Sequence, residues 1–111
     1  GNEKWVDIHF DGELHGKPAK WSVKISNATV GAHEIELLQP SGGPSVLQEF
    51  LDEHGEGVHH VAYLAENVKK ELAKLTGKVE LLTSANLDTG GFAYIRTAEA
   101  GMVIEIRAIN P

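Results

Sequence analysis

The stretch HGEGVHHVAY, residues 54–63, sets two adjacent histidines between a glycine-flanked turn and an apolar run. In an extended strand, neighbouring side chains point to opposite faces. His60 is therefore expected to share a face with Val58 and Ala62, and His59 to look the other way with Val61 and Tyr63. Upstream of the pair the period is helical. Ser45 followed by Gln48 reads as a capping box, Val46, Leu47, Phe50, Leu51 and His54 keep helical spacing, and Gly55 is a natural stop. Downstream, Val68, Leu72 and Leu75 mark a second helix over 66–75, ended by Gly77.

The remaining runs alternate as strands do. Three are expected over 5–10, 21–26 and 33–39, as an antiparallel meander. Turn chemistry lies at Asp11-Gly12, Gly16-Lys17-Pro18 and 27–32, and Pro40-Ser41-Gly42-Gly43-Pro44 reads as a loop. Three more strands are expected over 79–83, 92–97 and 102–108, with turns at Gly90-Gly91 and 99–101. The second half reads strand, helix, strand, strand, strand. The first half reads strand, strand, strand, followed by a linking helix. A single domain over 1–111 is expected, with 1–40 a partial module, 41–57 the link and 58–111 a complete module.

The chain has 111 residues, with 16 acidic against 10 basic side chains and a formal charge of -6. That balance disfavours a nucleic-acid groove, which needs a basic footprint. The absence of cysteine excludes disulfides, thiolate zinc sites and thiol catalysis. No apolar run approaches the roughly 20 residues of a membrane span, and a cytoplasmic location is expected. Lys69, Lys70 and Lys74 read as the solvated face of their helix. Trp5 and Trp21 read as core or interface.

The two halves carry a weak internal repeat. Glu34-Ile35-Glu36-Leu37-Leu38 and Val103-Ile104-Glu105-Ile106-Arg107 are apolar strands with a central carboxylate, each preceded by two strand runs. In the first, Ile35 and Leu37 share a face opposite Glu36; in the second, Met102, Ile104 and Ile106 share a face opposite Glu105. Each glutamate alone fits a solvated sheet face. Two at matching points of a repeat make a metal or proton-transfer pair. The histidine strand opens the second copy, and its counterpart in the first would fall before Gly1.

These residues together resemble a known family. The run Ile35-Glu36-Leu37-Leu38-Gln39-Pro40, the short helix, His54-Gly55-Glu56-Gly57-Val58-His59-His60-Val61-Ala62, Gly90-Gly91 and Val103-Ile104-Glu105-Ile106 are similar to the vicinal oxygen chelate superfamily of glyoxalases, bleomycin-resistance proteins and extradiol dioxygenases. Methylmalonyl-CoA epimerase-like members look closest, and the resemblance covers roughly residues 20 to 109. It implies an α+β fold of βαβββ modules in a curled mixed sheet with helices on the outer face, the first module lacking its opening strand and helix. It implies Glu36, His60 and Glu105 as ligands of a divalent ion (Co, Mn, Ni, Zn or Mg), with Glu36 and Glu105 also catalytic. The family's fourth ligand, a histidine on the opening strand, has no counterpart here.

The activity so implied is that of a metal-dependent lyase, isomerase or epimerase. It would abstract a proton beside the carbonyl of a small molecule or acyl thioester, including a CoA thioester. In the 21–26 strand Lys24 is the only titratable residue, so the epimerase's upstream glutamate is unmatched. Arg96-Thr97-Ala98-Glu99-Ala100 replaces the family's His-Pro-Lys turn. The alternatives are a drug-sequestering binding protein without turnover and a degenerate scaffold. A bare sheet edge left by the missing strand predicts either that the sequence comes from a longer chain or that a homodimer or strand-exchanged oligomer completes the sheet.

Overall fold

The computed structural model describes residues 4–97 and 101–109. Seven strands form one sheet in the order β3-β2-β1-β5-β6-β7-β4. The first half supplies β1 (Val6–Leu14), β2 (Lys17–Val30) and β3 (His33–Gly42). The second supplies β4 (His60–Ala65), β5 (Val79–Ala85), β6 (Phe92–Thr97) and β7 (Val103–Ala108). Between the halves runs α1 (Val46–His54), and α2 (Val68–Leu75) connects β4 to β5. The sheet is mixed: β4 and β7 pair parallel, every other pair antiparallel. This is the α+β fold of a curled half-barrel that the resemblance implies, with no opening strand or helix before β1 among the described residues.

The first helix begins where the sequence signals it, and the second begins at Val68, two residues later than expected. Ser45 is the N-cap of α1, its Oγ accepting from the Gln48 backbone N–H, and Gly55 closes the helix with φ 76°. For α2 the cap is Asn67, whose side chain accepts from the Lys70 N–H.

The first two strands are longer than their alternation suggested. β1 runs straight through Asp11-Gly12, and the hairpin turns instead at His15-Gly16, both with positive φ. The following turn contracts to Gly31-Ala32, and β3 extends through Pro40-Ser41 to Gly42. Gly12 is not a turn residue because it forms the joint between the halves. It pairs with Ala85 of β5, and a Cβ there would lie 2.1 Å from the Ser84 carbonyl oxygen. Only a glycine permits that approach. Met102 lies outside β7, and the expected turn at 99–101 falls largely outside the described residues.

Two apolar clusters hold the two faces. On the outer face, Val68 of α2 packs with Ala65, Ala93, Ile95, Ile106 and Ala108, and Leu72 and Leu75 join them. On the inner face, Trp21, Val23, Leu82, Ala85, Tyr94 and Val103 pack with Val46 and Leu47 of α1, flanked by Phe10, Leu38 and Phe92. So α2 is the outer-face helix, while α1 contributes to the inner wall. Trp21 stacks on Phe10 at 5.7 Å between ring centroids. No described helix is long and apolar enough to cross a membrane.

Candidate functional site

The curl of the sheet encloses an inner cleft of about 500 Å³, lined by Phe10, Trp21, Val23, Leu38, Phe92 and Tyr94 among others. That size and lining suit a small organic ligand. At one side of this apolar wall sit Glu36, Glu105 and Arg107.

Strand alternation delivers each of them. Glu36 and Leu38 of β3 face inward, opposite Ile35 and Leu37. On β7, Glu105 and Arg107 share the inner face, while Ile106 points into the outer cluster. His60 opens β4, which lies parallel beside β7. The ligand atoms of Glu36, His60 and Glu105 all lie within 4.8 Å of one another. The curl brings β3 to β4 and β7 across the cleft, although the three residues are far apart in sequence. Two carboxylates and an imidazole form a donor set suited to a divalent cation.

Polar contacts bind the cluster together. His60 Nε2 lies 3.1 Å from Glu105 Oε1. Arg107 donates to both Glu105 oxygens, Nε to Oε2 at 3.2 Å and Nη2 to Oε1 at 2.9 Å, and its Nη2 also donates to Glu36 Oε1 at 3.2 Å. One guanidinium therefore bridges the two carboxylates. Burial alone would push the Glu105 carboxyl up, but the hydrogen bonds from His60 and Arg107 outweigh it and hold it below the usual carboxylate range. The hydrogen bond to Glu105 likewise raises Arg107, which stays charged.

His59 does not face away from His60. Its Nδ1 lies 2.8 Å from His60 Nδ1, and its ring meets Phe50 of α1 and Tyr94 of β6, at 5.1 and 5.6 Å between centroids. The alternation rule fails because β4 begins only at His60, leaving His59 in the preceding irregular segment. Burial, then the neighbouring His60 and Arg96, push the His59 pKa down to about 4. A neutral His59 can either donate to His60 or accept from it. When a neutral His60 donates from Nε2 to Glu105, its Nδ1 accepts from His59. When His60 Nε2 instead offers its lone pair, its Nδ1 carries the proton and donates to His59. The dyad accommodates both states by exchanging tautomers.

Tyr94 is an inner residue that the sequence left unmarked. It sits opposite Glu105 in register, and its ring lies 4.5 Å from that of His60. Burial, reinforced by Glu105 and Glu36, pushes its phenol up, so it remains protonated. Arg107 was findable, since it lies two residues beyond Glu105 on the same face. Tyr94 and His59 were not, because ring contacts across strands leave no trace in local spacing. Among the other basic groups, Lys69 pairs with Asp88 and Lys74 with Glu71, on the exposed side of α2 as expected. Trp5 is exposed.

Comparison with known proteins agrees with this architecture. An uncharacterized protein, YqjC of Bacillus subtilis (strain 168), is 30% identical over 54 residues, covering 49% of this chain and 39% of the relative. The chain thus spans well under half of that protein's length. The profile of the glyoxalase/bleomycin resistance protein/dioxygenase superfamily matches residues 2–94, which include β1 to β5, α1, α2, Glu36 and His60. With its curled sheet and duplicated strand order, the chain belongs to the glyoxalase/bleomycin resistance protein/dioxygenase superfamily.

Proposed function

We propose that the protein is a divalent-metal enzyme that moves a proton beside the carbonyl of a small molecule or acyl thioester, as methylmalonyl-CoA epimerase-like members do. The observation that carries this reading is the convergence of Glu36, His60 and Glu105, the two glutamates lining a largely apolar cleft. These three side chains would hold the ion, and His59 would orient His60 through the Nδ1 contact, as outer-sphere partners orient metal-bound imidazoles. A bound ion would supply Lewis-acid polarisation of the substrate carbonyl, acidifying the adjacent C–H. Of the two carboxylates Glu36 is the better proton carrier. It is partly exposed and engaged by Arg107, whereas Glu105 is buried and held by both His60 and Arg107. The aromatic wall of Phe10, Trp21 and Phe92 would exclude water from the substrate's carbon skeleton.

Metal analysis of wild type and Glu105→Gln after dialysis against Mn²⁺ tests the metal centre. Wild type is expected to retain the ion and the variant to bind it about 100-fold more weakly. Equal retention by both would refute it. For the reaction, proton NMR in D₂O should show metal-dependent loss of the α-proton signal from one of a panel of acyl thioesters and 2-oxo compounds.

One observation favours a second reading, a binding protein without turnover: Arg107 already pairs with both carboxylates while the aromatic wall remains available. Ligand binding undiminished by a chelator, with no α-proton exchange, would select that reading.

A further inference from the structure

Arg107 is the residue the metal-centre reading does not use. Its guanidinium lies across the site where a shared cation would be held, donating to both oxygens of Glu105 and to Glu36. Every one of these contacts is to a side chain named above as a metal ligand. A guanidinium presents a planar fork that matches paired carboxylate oxygens, so this geometry is a strong one. Arg107 is also 38% exposed and lines the cleft, so its side chain has room to leave.

We infer that Arg107 is the resident counter-ion of this centre: a metal ion displaces it from Glu36 and Glu105, and the released guanidinium then receives the carboxylate of an anionic substrate. The inference rests on the metal-centre reading and gives it a substrate class, small carbonyl compounds bearing a carboxylate. The electrostatics favour this order of events. Two carboxylates against one guanidinium leave the site net negative, which repels an anion and attracts a cation. Addition of a divalent cation makes the same site net positive, and the freed Arg107 is then a cationic donor lining the cleft. Metal and anion binding are therefore coupled, each strengthening the other by the same factor. Clamped in the metal-free state, Arg107 also keeps two carboxylates paired that would otherwise repel each other in a partly buried site.

Titration calorimetry of the full chain with Mn²⁺, followed by oxalate as a small dicarboxylate probe, tests this. The variants are Arg107→Gln, which removes the charge, and Arg107→Lys, which keeps the charge but loses the fork. Both are expected to bind Mn²⁺ more tightly than wild type, Arg107→Gln by about tenfold. Mn²⁺-loaded wild type is expected to bind oxalate about tenfold more tightly than Mn²⁺-loaded Arg107→Gln. Thermal unfolding adds a readout independent of the ligand. Metal-free Arg107→Gln should melt below wild type, and saturating Mn²⁺ should close that gap.

Wild type and both variants binding Mn²⁺ equally would overturn the counter-ion role while leaving the metal-centre reading intact. Arg107→Lys matching wild type while Arg107→Gln binds tighter would overturn the clamp, since charge alone would then explain the effect. Equal oxalate affinity in loaded wild type and loaded Arg107→Gln would overturn the anion-receiving role. Mn²⁺ binding by none of the three proteins would overturn this inference together with the reading on which it rests.

Discussion

The two halves of the sheet present the same pattern to the outer face and treat it differently. On β7, Ile106 is 0% exposed beneath α2. On β3, the matching Leu37 is 39% exposed and Ile35, on the same face, 45%, and no described helix covers them. β7 lies between β6 and β4, whereas β3 ends the sheet with one edge unpaired among the described residues. The alternation of apolar residues therefore marks the same side in both halves, and among the described residues a helix covers that side only in the second. The inner faces show no such inequality, since both halves contribute to one cleft and each delivers a carboxylate to its polar side.

The sharpest way to break the comparison is to truncate each half at its matching position. Ile106→Ala should cost about 3 to 4 kcal/mol in urea unfolding, because the removed methyls leave a cavity between β7 and α2. A loss below about 1 kcal/mol would mean that α2 is not docked as described. The joint between the halves comes next. Gly12→Ala places a methyl against the Ser84 carbonyl oxygen and should cost about 2 kcal/mol, the range of an overpacked contact. Amide exchange should show its effect concentrated on the pairing of β1 with β5, and protection left intact there would argue against Gly12 as the joint.

Leu37→Ala, the match of Ile106→Ala, is expected to be nearly silent, within about 0.5 kcal/mol, as for an exposed substitution. Measured at two protein concentrations, it also sharpens the contrast. A cost that grows with concentration would reveal another chain packed on this face, and the two halves would then be equivalent in the assembled state.

The cap residues and helix limits of α1 were legible locally, because capping is an interaction between residues three apart. The inward direction of Glu36 and Glu105 was legible from a period of two. The Asp11-Gly12 pair was misread as a turn for an instructive reason. Glycine serves both tight turns and close backbone approach, and only the pairing of β1 with β5 separates the two uses. His59 was misplaced because alternation was extended beyond the point where the strand begins.

By itself, then, the sequence determined the elements, the superfamily and the faces on which Glu36 and Glu105 lie, all of which follow from short-range spacing and a matched pattern. The tertiary structure alone decided that Arg107 would bridge those two carboxylates, that His59 would turn back onto His60, and that Tyr94 would lie against both histidines. These contacts span up to 71 positions in the chain. They depend on how far a sheet curls, a property of the whole packed assembly and not of any one segment.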